Sequence, residues 1–290
     1  MIFLGYITWD PAKGIDLGFF TLHFYSLMFI MAFLCGWYIM AHIYQKEKVK
    51  KKHLDPLLIY TVLATLIGAR LGQVFFYDLS YFKNHWLEAL LPIRENPDGT
   101  LLGIIKDYEF IGYRGLASHG ATVGLIISTY IYNKKVTQKP FLWLYDRLCI
   151  PIALGCSFIR IGNFFNSEIV GKPSDLPWAV KFMQMDVEYG EIVPRHPTQL
   201  YEAAGYFGVF LMSWYVYRKT DRKNLFGYIF GLFFTVIWSI RISIEFIKEP
   251  QGKETIQTSG LNTGQLLGIP FLLLGILIMI TVLKRKHTSS

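Results

Sequence analysis

Between Arg160 and Gly171 the chain sets one guanidinium, two carboxamides and a carboxylate at the end of an apolar run: Arg160, Asn163, Asn166 and Glu168. Ionisable and amide side chains at the edge of hydrocarbon are costly, so such a cluster reads first as a functional site. Arg160 and Asn163, three residues apart, share a face if the run is helical. A guanidinium is a planar fork that pairs bidentately with phosphate, unlike the point charge of a lysine. Asn163, Asn166 and Glu168 can fix that fork or bind a hydroxyl-rich head group. A plainer reading also fits, in which these residues form a polar clamp between helices or an Arg160–Glu168 interfacial ion pair.

Four further groups could join such chemistry. Arg241 and Glu245 stand four residues apart in one apolar run, so they share a helical face and can neutralise each other. Alternatively Arg241 is a second cation around one anionic group, with Arg70 a third at similar depth. His119, at the entrance of a short Gly-rich run, is either a structural hydrogen bonder or a proton acceptor for a nucleophile. Tyr25 is an interfacial aromatic or a donor to a lipid head group. In the run Arg195–Glu202, Thr198 is placed to cap a helix and Glu202 to complement its dipole. The chain has no Gly-x-Ser-x-Gly, Walker A, His-Glu-x-x-His or Cys-x-x-Cys pattern. Cys35, Cys149 and Cys156 lie far apart inside apolar runs, which argues against a disulfide framework and a metal site. No metal or organic cofactor is expected.

The elements that must hold these residues follow from composition. Of 290 residues, 52% are hydrophobic and only 17% charged, where a soluble domain carries about 25% charged. The chain reads as an all-α polytopic membrane protein forming one domain over residues 1–290. Apolar runs at about 19–44, 56–77, 119–133, 141–161, 199–217, 226–247 and 264–283 predict seven transmembrane helices, the third being the shortest. Residues 1–18 lack a basic start and carry Asp10 and Asp16, so the first run reads as a span rather than a cleaved signal.

Basic residues cluster after alternate spans: Lys46 to Lys52, then Lys134, Lys135 and Lys139, then Arg218 to Lys223, then Lys284 to Lys286. The positive-inside rule puts those loops in the cytoplasm, the N-terminus outside and the C-terminus inside. The net charge of +8 is thereby topological and calls for no nucleic acid. Two longer loops, about 78–118 and 162–198, then fall on the outer face and form a small head. The first contains a turn cluster at Glu95–Gly99, the second a short strand at Trp178–Phe182.

At these residues the chain resembles the prolipoprotein diacylglyceryl transferase family. The signature Gly-Arg-x-x-Asn-Phe-x-Asn-x-Glu-x-x-Gly is represented at Ile159–Gly171, followed by Leu176-Pro177-Trp178. Arg-His-Pro-Ser/Thr-Gln-Leu-Tyr-Glu is intact at Arg195–Glu202 and Gly-Ala-Arg-Leu-Gly at Gly68–Gly72, and Gly264-Gln265 opens the last span. The departures are Ile159 for Gly, Ala121 in the usual His-Gly-Gly, His23-Phe24-Tyr25 for Arg-Trp-Tyr and Lys248-Glu249-Pro250 for Arg-Gln-Pro. None touches Arg160, Asn163, Glu168 or Arg241.

The resemblance implies transfer of diacylglyceryl from phosphatidylglycerol to the lipobox cysteine of a preprolipoprotein, at the outer leaflet of the bacterial plasma (inner) membrane. Its partners would be that lipid, the membrane-inserted signal peptide and the surrounding bilayer. It implies His119, Tyr25 and Arg241 as catalytic residues. It implies Arg160, Asn163, Asn166, Glu168, Gly171 and Glu245 as phosphatidylglycerol-binding residues, with Glu245 orienting Arg241. A transporter is the competing class, but no repeat relates the two halves and the polar residues gather at one face rather than the midplane. A metal-dependent head-group transferase would want clustered cytoplasmic aspartates, where Asp146 stands nearly alone.

Overall fold

A backbone in hydrocarbon must satisfy its own hydrogen bonds, which favours helices in long apolar runs. The computed structural model describes residues 6–18, 21–91, 93–101, 104–110, 117–250 and 261–288. Its helices are α1 (Phe24–Lys46), α2 (Leu54–Phe76), α3 (Leu79–Phe82), α4 (Trp86–Leu90), α5 (Ser118–Tyr132), α6 (Phe141–Phe165), α7 (Thr198–Lys219), α8 (Tyr228–Glu245) and α9 (Thr263–Thr288). Helices α1, α2 and α5 to α9 fall on the predicted runs. Among the described residues five segments are long and apolar enough to cross a membrane, on α1, α2, α6, α8 and α9. Helix α5 spans 15 residues, about 22 Å of rise, which is short of a bilayer core. Helix α7 opens on buried Thr198, Gln199 and Glu202 and closes on Arg218 and Lys219, which lowers its apolar content.

The strands are β1 (Ile7–Trp9), β2 (Gly14–Asp16), β3 (Thr21–His23), β4 (Ile93–Leu101), β5 (Ile105–Phe110), β6 (Val180–Phe182) and β7 (Pro194–Arg195). The chain divides into two compact units, Tyr44–Lys139 and Met1–Ile43 with Pro140–Ser290.

In the Tyr44–Lys139 unit, α2 and α5 meet through glycine. A Cβ on Gly68 would lie 2.5 Å from the Gly120 carbonyl oxygen, and one on Gly124 2.6 Å from that of Ala64. Such small-residue faces let two backbones touch. The Tyr44 and Tyr132 hydroxyls pair at 2.8 Å. The turn cluster expected at Glu95–Gly99 lies inside β4, where the β4–β5 register shifts between Glu95 and Thr100. Pro97 cannot donate to a ladder, so the strand bulges there instead of ending. Residues 92, 102, 103 and 111–116 of this loop lie outside the described residues.

In the other unit, α1 packs on α6 through small residues, with Gly36 on Pro151, Gly155 on Ala32 and Gly162 on the Tyr25 ring. Asp146, fully buried on α6, accepts backbone N–H groups of Gly227 at 2.7 Å and Phe230 at 2.8 Å. It thereby closes the start of α8, where a negative charge faces the positive end of the helix dipole. The N-terminal segment is more than a lead-in to the first span. Strand β1 pairs parallel with β6, and β6 antiparallel with β7. Phe164, Val170, Val180, Phe182 and Met185 form the core beneath, with Trp9 packed against it and donating to the Phe164 carbonyl at 2.9 Å. The expected strand at Trp178–Phe182 shortens to β6. Helix α1 starts at Phe24 rather than at residue 19, because Thr21–His23 pairs with β2; residues 19 and 20 lie outside the described residues.

Candidate functional site

The end of α6 and the segment after it form one polar cluster. Arg160 sits in the penultimate turn of α6, where one terminal nitrogen donates to Asn163 Oδ1 at 3.0 Å. Asn163 and Asn166 both donate to Glu168 Oε1, at 3.2 and 2.9 Å. Glu168 lies between Ser167 (φ +56°) and Ile169 (φ +61°), both left-handed. For a β-branched residue such as Ile169 that conformation is a strained outlier. It is held by Gln199, which donates to the Glu168 carbonyl at 2.7 Å, and by Thr198, which donates to that of Ile169 at 2.8 Å. The start of α7 thus pins the backbone that presents the Glu168 carboxylate.

This corrects two expectations. Thr198 makes no capping bond within its own helix; its hydroxyl is spent on Ile169. Glu202, near the start of α7 as the dipole reading requires, is also a fully buried carboxylate, paired with Arg160 Nε at 2.7 Å and with Lys248 Nζ at 3.2 Å. The described ion-pair partner of Arg160 is Glu202, not Glu168. The Tyr206 hydroxyl adds a bond to Glu202 at 3.3 Å.

Glu245 lies at the end of α8, and its partner is Lys248, at 3.2 Å, rather than Arg241. Asn262 approaches the same carboxylate at 3.5 Å. Gly264 leaves room for it, since a Cβ there would fall 2.7 Å from the carboxyl carbon. Asn262 and Gln265 cap the start of α9 reciprocally, each backbone N–H bonding to the other's side-chain oxygen at 3.0 and 2.9 Å. Arg241 itself forms no ion pair or hydrogen bond among the described residues. Its guanidinium lies 5.7 Å from the Trp238 ring centroid, and its charge acts on Glu202, Tyr206 and Cys156.

Gly171 has a backbone reason for being glycine. A Cβ would sit 2.5 Å from His196 Cβ, and its N–H donates to the His196 carbonyl at 2.9 Å. It also bridges to Lys248. The flanking bonds from Lys172 to Ile247 and from Glu249 to Val170 fasten the signature segment to the residues after α8. Arg195, buried, pairs with Glu249 at 2.8 Å. The Tyr25 ring rests on Gly162, next in the chain to Asn163.

Two expected members belong to the other unit. His119 is exposed on the first turn of α5. Arg70 is no third cation for a ligand, because its guanidinium donates to the backbone carbonyls of Ala89 (3.1 Å) and Glu88 and lies 4.8 Å from the Phe82 ring centroid. Glu202 and Lys248 were not among the expected site residues. The signals for them were Glu202 standing in an intact motif and Lys248 standing where the family motif carries an arginine; nothing local marks a buried carboxylate that bridges two cations.

Comparison with known proteins completes the description. A family model described as "Prolipoprotein diacylglyceryl transferase" matches residues 13–281. A Bacteroides fragilis protein named phosphatidylglycerol–prolipoprotein diacylglyceryl transferase is 37% identical over 284 residues, covering 98% of each chain. Proteins of the same name from Tolumonas auensis and Porphyromonas gingivalis are each 38% identical, covering 96% and 98% of this chain and 97% of their own.

Proposed function

Because the chain belongs to the prolipoprotein diacylglyceryl transferase family, we propose that it moves diacylglyceryl from phosphatidylglycerol to the lipobox cysteine of a prolipoprotein. The thiol loses its proton, since the thiolate is the nucleophile. Its sulfur attacks the glycerol carbon esterified to phosphate, a C–S bond forms, and the C–O bond breaks to release glycerol phosphate. Charge grows on the leaving phosphate, so the main demand is for fixed cations there.

The observation that carries the reading is the pair Arg160 and Arg241. Glu202 is ion-paired with Arg160 and also lies within the field of Arg241, yet Arg241 keeps no anionic partner among the described residues. Arg241, with no ion pair or hydrogen bond among the described residues, is then the cation left for a phosphate. In this reading Asn163, Asn166 and Glu168 take the head-group hydroxyls, Gly171 holds their segment in place, and Glu245 keeps the next turn ordered through Lys248. His119 is the proposed proton acceptor, with Tyr25 contributing to proton handling or head-group placement. The chain's seven proposed spans put its N-terminus and both long loops outside the bacterial plasma membrane. Cysteines introduced at Val187 and Lys135 test this: a membrane-impermeant reagent should label the first and spare the second in intact cells, and the reverse would overturn the orientation.

The function is tested with purified protein, phosphatidylglycerol vesicles and a lipobox peptide with one cysteine, followed by intact mass. The expected result is a diacylglyceryl mass increment on the peptide that prior thiol alkylation abolishes. Folded protein that adds no such mass would overturn the reading.

A further inference from the structure

We infer that Glu202 is the positioning residue of the reaction: it fixes the Arg160 guanidinium from its Nε edge so that the outer edge faces the phosphate. The inference rests on the function proposed above. A guanidinium has five N–H donors in one plane. Glu202 Oε2 lies 2.7 Å from Nε as an ion pair without a hydrogen bond of its own, and Asn163 takes one hydrogen on a terminal nitrogen at 3.0 Å. The carboxylate thus sits on the side of the fork nearest the helix and leaves terminal donors for an incoming anion. Had Glu202 paired across the two terminal nitrogens, it would have occupied the edge that phosphate needs.

Glu202 is itself held at its other oxygen, which accepts from Lys248 at 3.2 Å and Tyr206 at 3.3 Å. Lys248, buried, continues to Glu245 at 3.2 Å, and Glu245 rests on Gly264 and Asn262 at the start of α9. An ion-paired chain therefore runs from Glu245 on α8 through Lys248 and Glu202 on α7 to Arg160 on α6, with the start of α9 against its far end. The Gly264-Gln265 pair gains a role here, since α9 must begin without a side chain against the Glu245 carboxyl. A buried carboxylate between two cations is costly to assemble and costly to break, and its geometric consequence falls on Arg160.

The test compares Glu202→Gln, Glu202→Asp and the charge-balanced pair Glu202→Gln with Lys248→Met, varying phosphatidylglycerol in mixed micelles. Misplacing a phosphate ligand by about 1 Å lowers turnover by about 100-fold. All three variants should lose kcat on that scale while KM for the lipid changes far less. The charge-balanced variant keeps the net charge of the cluster unchanged, so its melting midpoint should lie above that of Glu202→Gln while kcat stays low. Recovery of kcat together with stability in that variant would overturn the inference and leave Glu202 a purely structural residue. A wild-type protein inactive with phosphatidylglycerol would instead overturn the function on which the inference rests.

Discussion

Arg160 and Arg70 look alike as text, each an arginine near the end of an apolar run and close to glycine, and the structure treats them oppositely. Arg70 spends its donors on the backbone carbonyls of Ala89 and Glu88 and lies over Phe82. It pins the connection after α2. Arg160 is bound by side chains, the Glu202 carboxylate and the Asn163 amide, which tie it to other polar residues and leave donors unspent. An arginine spent on backbone oxygens is a strut, whereas one balanced by a carboxylate network can still receive an anion. Partner type, not depth, separates the two.

The comparison can be broken or sharpened by substitution. The largest effect after loss of Arg160 itself is expected for Arg241→Gln, which should cut turnover by about 100-fold or more with stability little changed. A normal rate would leave Arg160 as the sole clamp. His119→Gln should slow transfer by about 100-fold at neutral pH if the side chain takes the thiol proton; full activity would remove that assignment. On the Arg70 side the effects fall on folding. Gly120→Ala should lower stability in detergent by about 1–3 kcal/mol, because its methyl would meet the Gly68 backbone. Arg70→Met should cost about 1–3 kcal/mol for the carbonyls it leaves unpaired, with the rate per folded molecule near wild type. Smallest is Tyr81→Phe, which deletes the 2.7 Å bond to Glu88 and should cost about 1 kcal/mol. That bond, with burial and the Glu88 charge, raises the Tyr81 phenol above its usual value. Its contribution is therefore full below the ordinary tyrosine pKa and is lost as pH climbs through the raised one, which a melting series at alkaline pH would read.

Much of this was legible before any coordinates. The seven apolar runs carry seven helices, and Arg160, Asn163, Asn166 and Glu168 do meet, because they sit within nine residues and local geometry suffices. What could not be read depends on distant approach. Glu202 lies 42 residues from Arg160, and only the packing of α7 on α6 brings them together. The Arg241–Glu245 spacing was correct for a pair, but Lys248 and Asn262 claim the carboxylate. Strand β1 is three residues long, too short to show alternation, and its partner β6 is over 170 residues away. The Glu95–Gly99 cluster has every mark of a turn and forms a bulge, since strand pairing resumes on both sides.

The most direct test of the central claim is a matched pair, Arg160→Ala and Arg70→Ala, each assayed for diacylglyceryl transfer to the lipobox peptide per folded molecule. If the Arg160 cluster holds the lipid phosphate, Arg160→Ala should fall by about 1,000-fold while Arg70→Ala loses stability but keeps its rate. Equal losses in both, or an active Arg160→Ala protein, would contradict the account.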